Sequence, residues 1–177
     1  MDSGKAGADQ DSLSCLVHPI TLSDELFLWE MLYQAIYVSP GCDRPHRQIV
    51  KSPELSRYVE GWGREGDFGL KAVTSPGLEP KGAAWIRLLT GNNRGYGYVD
   101  DATPELCIAV LPESRGKGIG TLMLRRLLAS VDEKYEAVSL SVNEENPAVR
   151  LYRRLGFDVV EQHEGSLTMK KRLLTIR

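Results

Sequence analysis

Arg115-Gly116-Lys117-Gly118-Ile119-Gly120-Thr121 is the stretch of this chain whose residue types and spacing are best suited to chemistry. It follows the apolar run Leu106 to Leu111 and opens a segment, Ile119 to Val131, with helical periodicity. The three glycines keep side chains off the backbone. The first turn of a helix adds N–H groups without intrahelical partners and a partial positive charge. Such a turn binds phosphate. Arg115 and Lys117 contribute cationic charge, worth about 1 kcal/mol for an exposed contact. Two common phosphate motifs are excluded by spacing. The nucleoside triphosphate loop requires Lys followed by Ser or Thr at its close, whereas here Lys117 lies inside the turn and Thr121 follows Gly120. The dinucleotide fingerprint G-x-G-x-x-G also fails, because the glycines at 116, 118 and 120 read G-x-G-x-G.

What remains, Arg115-x-x-Gly118-x-Gly120, resembles motif A of the GNAT superfamily, the acyl-CoA-dependent N-acetyltransferases. A second block, Asn146-Pro147-Ala148-Val149-Arg150-Leu151-Tyr152-Arg153-Arg154-Leu155-Gly156-Phe157, is similar to that family's N-x-x-A-x-x-x-Y-x-x-x-G-F signature. The interval between the blocks leaves room for one helix and the strand Ala137 to Val142. The resemblance is specific from Thr103 to Phe157. It implies that acetyl-CoA enters a gap between two parallel strands, the motif A strand and the strand after its helix. It further implies that the coenzyme A pyrophosphate sits on the backbone of Arg115, Gly116, Lys117, Gly118, Ile119, Gly120 and Thr121. Ile108, Ala109 and Val110 would then offer backbone groups to the pantetheine amides, like a strand edge receiving one more strand. Asn146 would touch the cofactor, and it also suits an N-cap with Pro147 at the first helical position.

In a direct acyl transfer a thiolate leaves as the amine attacks. Tyr152, in the second block, is the candidate to stabilise that thiolate. A phenol of pKa about 10 facing a thiolate of pKa about 8.5 makes full proton transfer uphill by roughly 2 kcal/mol, so stabilisation of charge is the expected role. An alkyl ammonium must also lose a proton, at a cost of about 4 to 5 kcal/mol at neutral pH. Glu105, at the start of the motif A strand, is the candidate base, with Asp100 and Asp101 just before it. Trp62, in the loop Gly61 to Asp67, is a candidate for lining the acceptor pocket.

The elements that must position these groups follow from pattern. Leu13 to Ile20 reads as a strand and residues 26 to 36 as a helix stopped by Ser39-Pro40-Gly41. A second helix starts at Ser52-Pro53 and runs to about Glu60. Phe68 to Thr74 and Gly82 to Leu89 form a hairpin around Ser75 to Pro80. The long glycine- and asparagine-rich loop Thr90 to Tyr98 is expected to meet substrate or a second subunit, as in a homodimer. Asp158 to His163 and Leu167 to Arg172 close the chain as a hairpin. The expected fold is therefore α/β, a single-domain GNAT-like architecture. Its central sheet is mixed and mostly antiparallel, flanked by helices, with a parallel pair splayed around the cofactor.

Composition bounds the rest. The chain has 177 residues, 42% of them hydrophobic, enough for one domain with a real core. Residues 1 to 12 read as a disordered tail and residues 13 to 177 as the N-acetyltransferase domain. A net charge of −2 argues against nucleic acid as a partner. Without an 18-residue apolar stretch or a signal core, no membrane partner and a cytoplasmic location are expected. Cys15, Cys42 and Cys107 suggest neither a disulfide framework nor a metal site, and His18, His46 and His163 are scattered, so no metal is expected. The expected activity is acetyl transfer from acetyl-CoA to a small-molecule amine in a ternary complex. The alternatives are a protein or peptide acceptor, or a non-catalytic acyl-CoA-binding regulator.

Overall fold

A computed structural model describes residues 15–75 and 77–173, and the expected tail of residues 1 to 12 lies outside them. One seven-stranded sheet runs through the molecule in the order β1-β2-β3-β4-β5-β7-β6. Its strands are β1 Cys15–Pro19, β2 Phe68–Thr74, β3 Glu79–Arg87, β4 Glu105–Val110, β5 Ala137–Asn143, β6 Asp158–His163 and β7 Ser166–Arg172. Every neighbouring pair is antiparallel except β4 and β5. The helices are α1 Glu25–Ala35, α2 Pro53–Ser56, α3 Ile119–Val131 and α4 Ala148–Arg154.

Two apolar layers cover the sheet. Along β5, Val138, Leu140 and Val142 alternate with Ser139 and Ser141. The apolar set packs with Met123, Leu124, Leu127 and Leu128 of α3 and with Val149 and Tyr152 of α4. Ala83, Trp85 and Ala109 face the other way, against Leu28, Met31 and Leu32 of α1 and against Tyr58, Val59 and Trp62. Each layer obeys the period of its element, two for strands and 3.6 for helices. The α3 boundaries coincide with the periodic segment read from sequence.

Two boundaries differ from expectation. The helix expected to reach Glu60 ends at Ser56 and continues as turns, because the carbonyls of Arg57, Glu60 and Gly61 converge on the Arg87 guanidinium rather than extending the helix ladder. The turn expected over Ser75 to Pro80 is shorter, since β3 already begins at Glu79. Bulging between Ala72 and Val73 absorbs the mismatch opposite Pro80 and Gly82. Among the described residues, no helix is long and apolar enough to cross a membrane.

Candidate active site

The sheet opens in its middle. Strands β4 and β5 are paired only at Glu105 and Ser139, where the Ser139 N–H also donates to the Pro104 carbonyl at 3.1 Å. Beyond that point the two strands part. A cleft of about 1300 Å³ fills the divergence, lined on one side by Leu106 to Val110 and on the other by Leu140 to Asn143. Having lost β5 as a ladder partner, β4 turns its edge over residues 106 to 110 toward the cleft, ready for a ligand rich in amides.

The glycine turn closes one end of this cleft. Gly116 and Gly118 adopt positive φ, +72° and +82°, and a Cβ at either would meet nothing within 4 Å. Their need is conformational rather than steric. Gly118 is the N-cap of α3, and the first helical bond runs from the Leu122 N–H to the Gly118 carbonyl, so the N–H groups of Ile119, Gly120 and Thr121 have no helical acceptor. Gly120 is different: it has ordinary backbone, and its Cβ would sit 3.9 Å from Ile108, Val110 and Leu151.

Of the residues read as cofactor-binding, Ile108, Ala109, Val110, Arg115, Gly116, Gly118, Ile119, Gly120, Thr121 and Asn146 line the cleft. The Lys117 side chain is elsewhere: its ammonium donates to the Glu113 carbonyl at 2.9 Å and lines a separate hollow of about 560 Å³. Arg115 is tied to the strand it follows, its Nε donating to the Val110 carbonyl at 2.9 Å. Its Nη2 reaches Gln34 at the end of α1. Arg44, which the sequence pattern does not single out because it sits in a charged loop remote in the chain, lines the same cleft. Burial, and after it the Arg44 charge, lower the Arg115 pKa. Two guanidiniums and the free N–H groups of α3 lining one cleft suit an anion of more than one charge.

Asn146 accepts the Ala148 N–H at 2.9 Å, so it caps α4 while facing the cleft, with Pro147 already in helical conformation. Tyr152, one turn along α4, is 7% exposed and lines the cleft beside Leu151 and Cys107. Its ring packs edge-on to Phe157 with centroids 5.9 Å apart. Burial, and secondarily the neighbouring Cys107, push its phenol well above the ordinary value. Burial likewise pushes the Cys107 thiol up to about 12. Both groups are therefore neutral at physiological pH, one a hydrogen-bond donor and the other an inert thiol.

Glu105, read as the candidate base, is buried and already hydrogen-bonded, and it does not line the cleft. The residue is 2% exposed, and its carboxylate accepts three hydrogen bonds: from the Tyr58 hydroxyl at 2.8 Å, the Gly95 N–H at 2.9 Å and the Gly97 N–H at 2.8 Å. Burial raises its pKa despite those bonds. Asp100 and Asp101 are taken up at the surface, Asp100 by Lys170 at 2.9 Å and Asp101 by the Tyr98 hydroxyl at 2.8 Å. Trp62 belongs to the apolar layer under α1, with the Arg87 guanidinium 5.6 Å from its ring, and is not part of the cleft. Ile36, Tyr37, Val38, Ile49, Leu55 and Tyr96 also line the cleft.

Residues 81–159 match the family model described as an acetyltransferase (GNAT) domain. Over 50 residues the chain is 48% identical to a GCN5-like protein acetyltransferase of Mycobacterium tuberculosis, covering 27% of this chain and 24% of that protein. Over 89 residues it is 35% identical to a [ribosomal protein bS18]-alanine N-acetyltransferase of Haemophilus influenzae, covering 46% of this chain and 60% of that one. The matches thus span less than two thirds of either relative. In three dimensions the chain resembles the PaiA N-acetyltransferase of Thermoplasma acidophilum, solved with coenzyme A, at a TM-score of 0.64 and 19% identity, over 90% of this chain and 99% of that one.

Proposed function

The chain belongs to the GNAT superfamily, and from that premise we propose that it transfers the acetyl group of acetyl-CoA directly to a primary amine. One observation supports this reading above the others: the opened β4–β5 pair ends at a turn built from left-handed glycines and free helix N–H groups. An elongated ligand with a pyrophosphate at one end and amides along its length fits both features. Bound acetyl-CoA supplies the thioester whose C–S bond breaks as the C–N bond to the amine forms.

In this reading Arg115, Gly116, Gly118, Ile119, Gly120 and Thr121 hold the pyrophosphate. Arg44 adds charge, and the β4 edge from Ile108 to Val110 receives the pantetheine amides. The neutral Tyr152 hydroxyl donates to the leaving sulfur as charge develops on it. Because burial raises the phenol, donation of a hydrogen bond is its role, and the departing thiolate takes its proton from solvent later. The attacking amine loses its proton to water in the open cleft.

A small-molecule amine is the first reading of the acceptor, supported by an apolar border of Ile36, Tyr37, Val38, Ile49, Leu55 and Tyr96 suited to a compact substituent. An amine on a protein is the second, favoured by the curated relatives, both of which are protein acetyltransferases by name. Incubation with acetyl-CoA and a panel of small amines, amino acids and peptides, with thiol release as the readout, tests both. Acceptor-dependent release is expected. Tight acetyl-CoA binding with no release on any acceptor would replace the enzyme reading by that of a cofactor-sensing module.

A further inference from the structure

Three successive backbone amides between β3 and β4 converge on one buried pair of side chains. The Gly95 N–H donates to Glu105 Oε1 at 2.9 Å, the Tyr96 N–H to Tyr58 Oη at 2.7 Å, and the Gly97 N–H to Glu105 Oε2 at 2.8 Å. Tyr58 Oη in turn donates to Glu105 Oε2 at 2.8 Å. The arrangement closes on itself, with the carboxylate at its centre. Arg57 reinforces it by donating to the Arg94 carbonyl.

Neither flanking residue tolerates a side chain. A Cβ on Gly95 would lie 2.3 Å from Tyr58 Oη and 2.5 Å from Glu105 Oε1, and one on Gly97 would lie 2.6 Å from the Leu140 carbonyl carbon. Gly97 therefore rests directly on the β5 backbone, close to the point where β4 and β5 part. Of these three residues only Tyr96 carries a side chain. It is 60% exposed and borders the cleft together with Ile49, Leu55 and Tyr152. The two glycine amides and its own N–H thus fix the backbone from which the Tyr96 ring projects at the cleft border.

We infer that Tyr96 is the acceptor-recognition residue, packing against an apolar or planar substituent of the amine, and that Glu105 is a positioning residue that holds it there. The inference rests on the acetyltransferase reading above. It also reassigns Glu105: a carboxylate already bonded to Tyr58 and to both glycine amides is reached by an amine only after the loop is displaced. Its contribution is to fix the backbone that presents the phenol ring. The ring offers the acceptor a flat apolar face, and loss of such a contact weakens discrimination by about 10-fold or more.

Steady-state kinetics with phenethylamine and ethylamine as acceptors, and calorimetry with coenzyme A, test the inference on the full chain. Wild type is expected to prefer phenethylamine. Tyr96→Ala should raise the phenethylamine KM about 10-fold and change that of ethylamine much less, with kcat and the acetyl-CoA KM nearly unchanged. Tyr96→Phe should restore the wild-type KM. Tyr58→Phe and Glu105→Gln, which loosen the loop without removing the ring, should also raise KM rather than lower kcat. An unchanged phenethylamine KM in Tyr96→Ala overturns the recognition role, and a fall in kcat alone in Glu105→Gln overturns the positioning role. If wild type binds coenzyme A but acetylates neither amine, the substituent assignment fails while the cofactor site stands. If it does not bind coenzyme A, the acetyltransferase reading itself fails.

Discussion

In Tyr152 packing and the proposed chemistry meet in one side chain. Its ring lies against Phe157 in the α4 layer while its edge faces the cleft, so Tyr152→Phe keeps the buried area and removes only the hydroxyl. We expect kcat to fall by about 10²-fold with unchanged coenzyme A affinity, measured under conditions where chemistry limits turnover. Burial raises the phenol above its usual range, so the hydroxyl keeps its proton as pH rises, and no loss of kcat from its ionisation is expected below about pH 10. A basic limb near pH 8 that disappears in Tyr152→Phe would contradict this assignment. The glycines of the turn separate in the same way. Gly118→Ala forces a left-handed φ on a residue with a Cβ and should destabilise the fold by about 1–2 kcal/mol. Gly120→Ala meets no close neighbour and should be neutral or stabilising by up to about 1 kcal/mol, as urea midpoints would reveal. Local spacing makes this turn legible in the sequence, because both its conformation and its helix start are encoded within seven consecutive residues. The surroundings of Glu105 are not legible there, since Tyr58 is 47 residues away and an exposed and a buried carboxylate look alike in a strand.

At the level of elements, the informative event is the parting of β4 and β5. Periodicity identifies both strands, α3 and the closing hairpin, but pairing is a property of two segments, and nothing local to either strand states where pairing stops. Gly97 helps to determine that place. Its Cα faces the backbone of Leu140 and Ser141, at 2.6 Å and 2.8 Å from where a Cβ would lie, and backbone cannot yield as a flexible side chain can. Gly97→Ala should therefore either lift the 95–97 loop or push β5 aside, destabilising the fold by about 1–3 kcal/mol. Chemical denaturation would measure that loss. Gly91→Ala, in the same inter-strand region with nothing within 4 Å of its Cβ but a φ of +59°, is the control for backbone strain alone. Gly120→Ala, with ordinary backbone and no neighbour closer than 3.9 Å, is the matched comparison, and a loss at Gly97 no larger than at Gly120 would mean that the close approach to β5 is not limiting. The shortened α2 carries the same lesson as the splay. Its helical start is written in Ser52-Pro53, but its end is decided by Arg87, thirty residues from the Arg57 carbonyl it binds.

Across the whole molecule, Arg87 connects the sheet to the segment from residue 57 to residue 67, which carries Tyr58. It lies on β3 with 1% of its surface exposed, paired with Asp67, whose carboxylate is 2.7 Å from its Nη2 and almost as deeply buried. The remaining donors reach the carbonyls of Arg57, Glu60 and Gly61, so one guanidinium gathers the chain from residue 57 to residue 67. Within that stretch Tyr58 is fixed twice, by its carbonyl, which accepts from the Trp85 indole at 2.9 Å, and by its hydroxyl on Glu105. Coulomb attraction between buried ions is largely offset by their desolvation, so the pair adds little net stability, yet removing one member leaves the other uncompensated. Arg87→Met should therefore destabilise the fold by about 3–5 kcal/mol, whereas Arg87→Met with Asp67→Asn should recover part of that loss, because the neutral amide no longer needs a counter-ion. The distinguishing measurement is a double-mutant cycle by urea denaturation, accompanied by acceptor kinetics on whichever variant stays folded. If Arg87 acts through Tyr58, the folded double variant keeps most of its coenzyme A affinity, since among the described residues the side chains of the glycine turn bond to Gln34, Val110 and Glu113 rather than to residues 57 to 67. Its acceptor KM rises as the Tyr96 loop loses its anchor. Additive stabilities with an unchanged acceptor KM would sever the route from Arg87 to the cleft and leave the ion pair as scaffold alone.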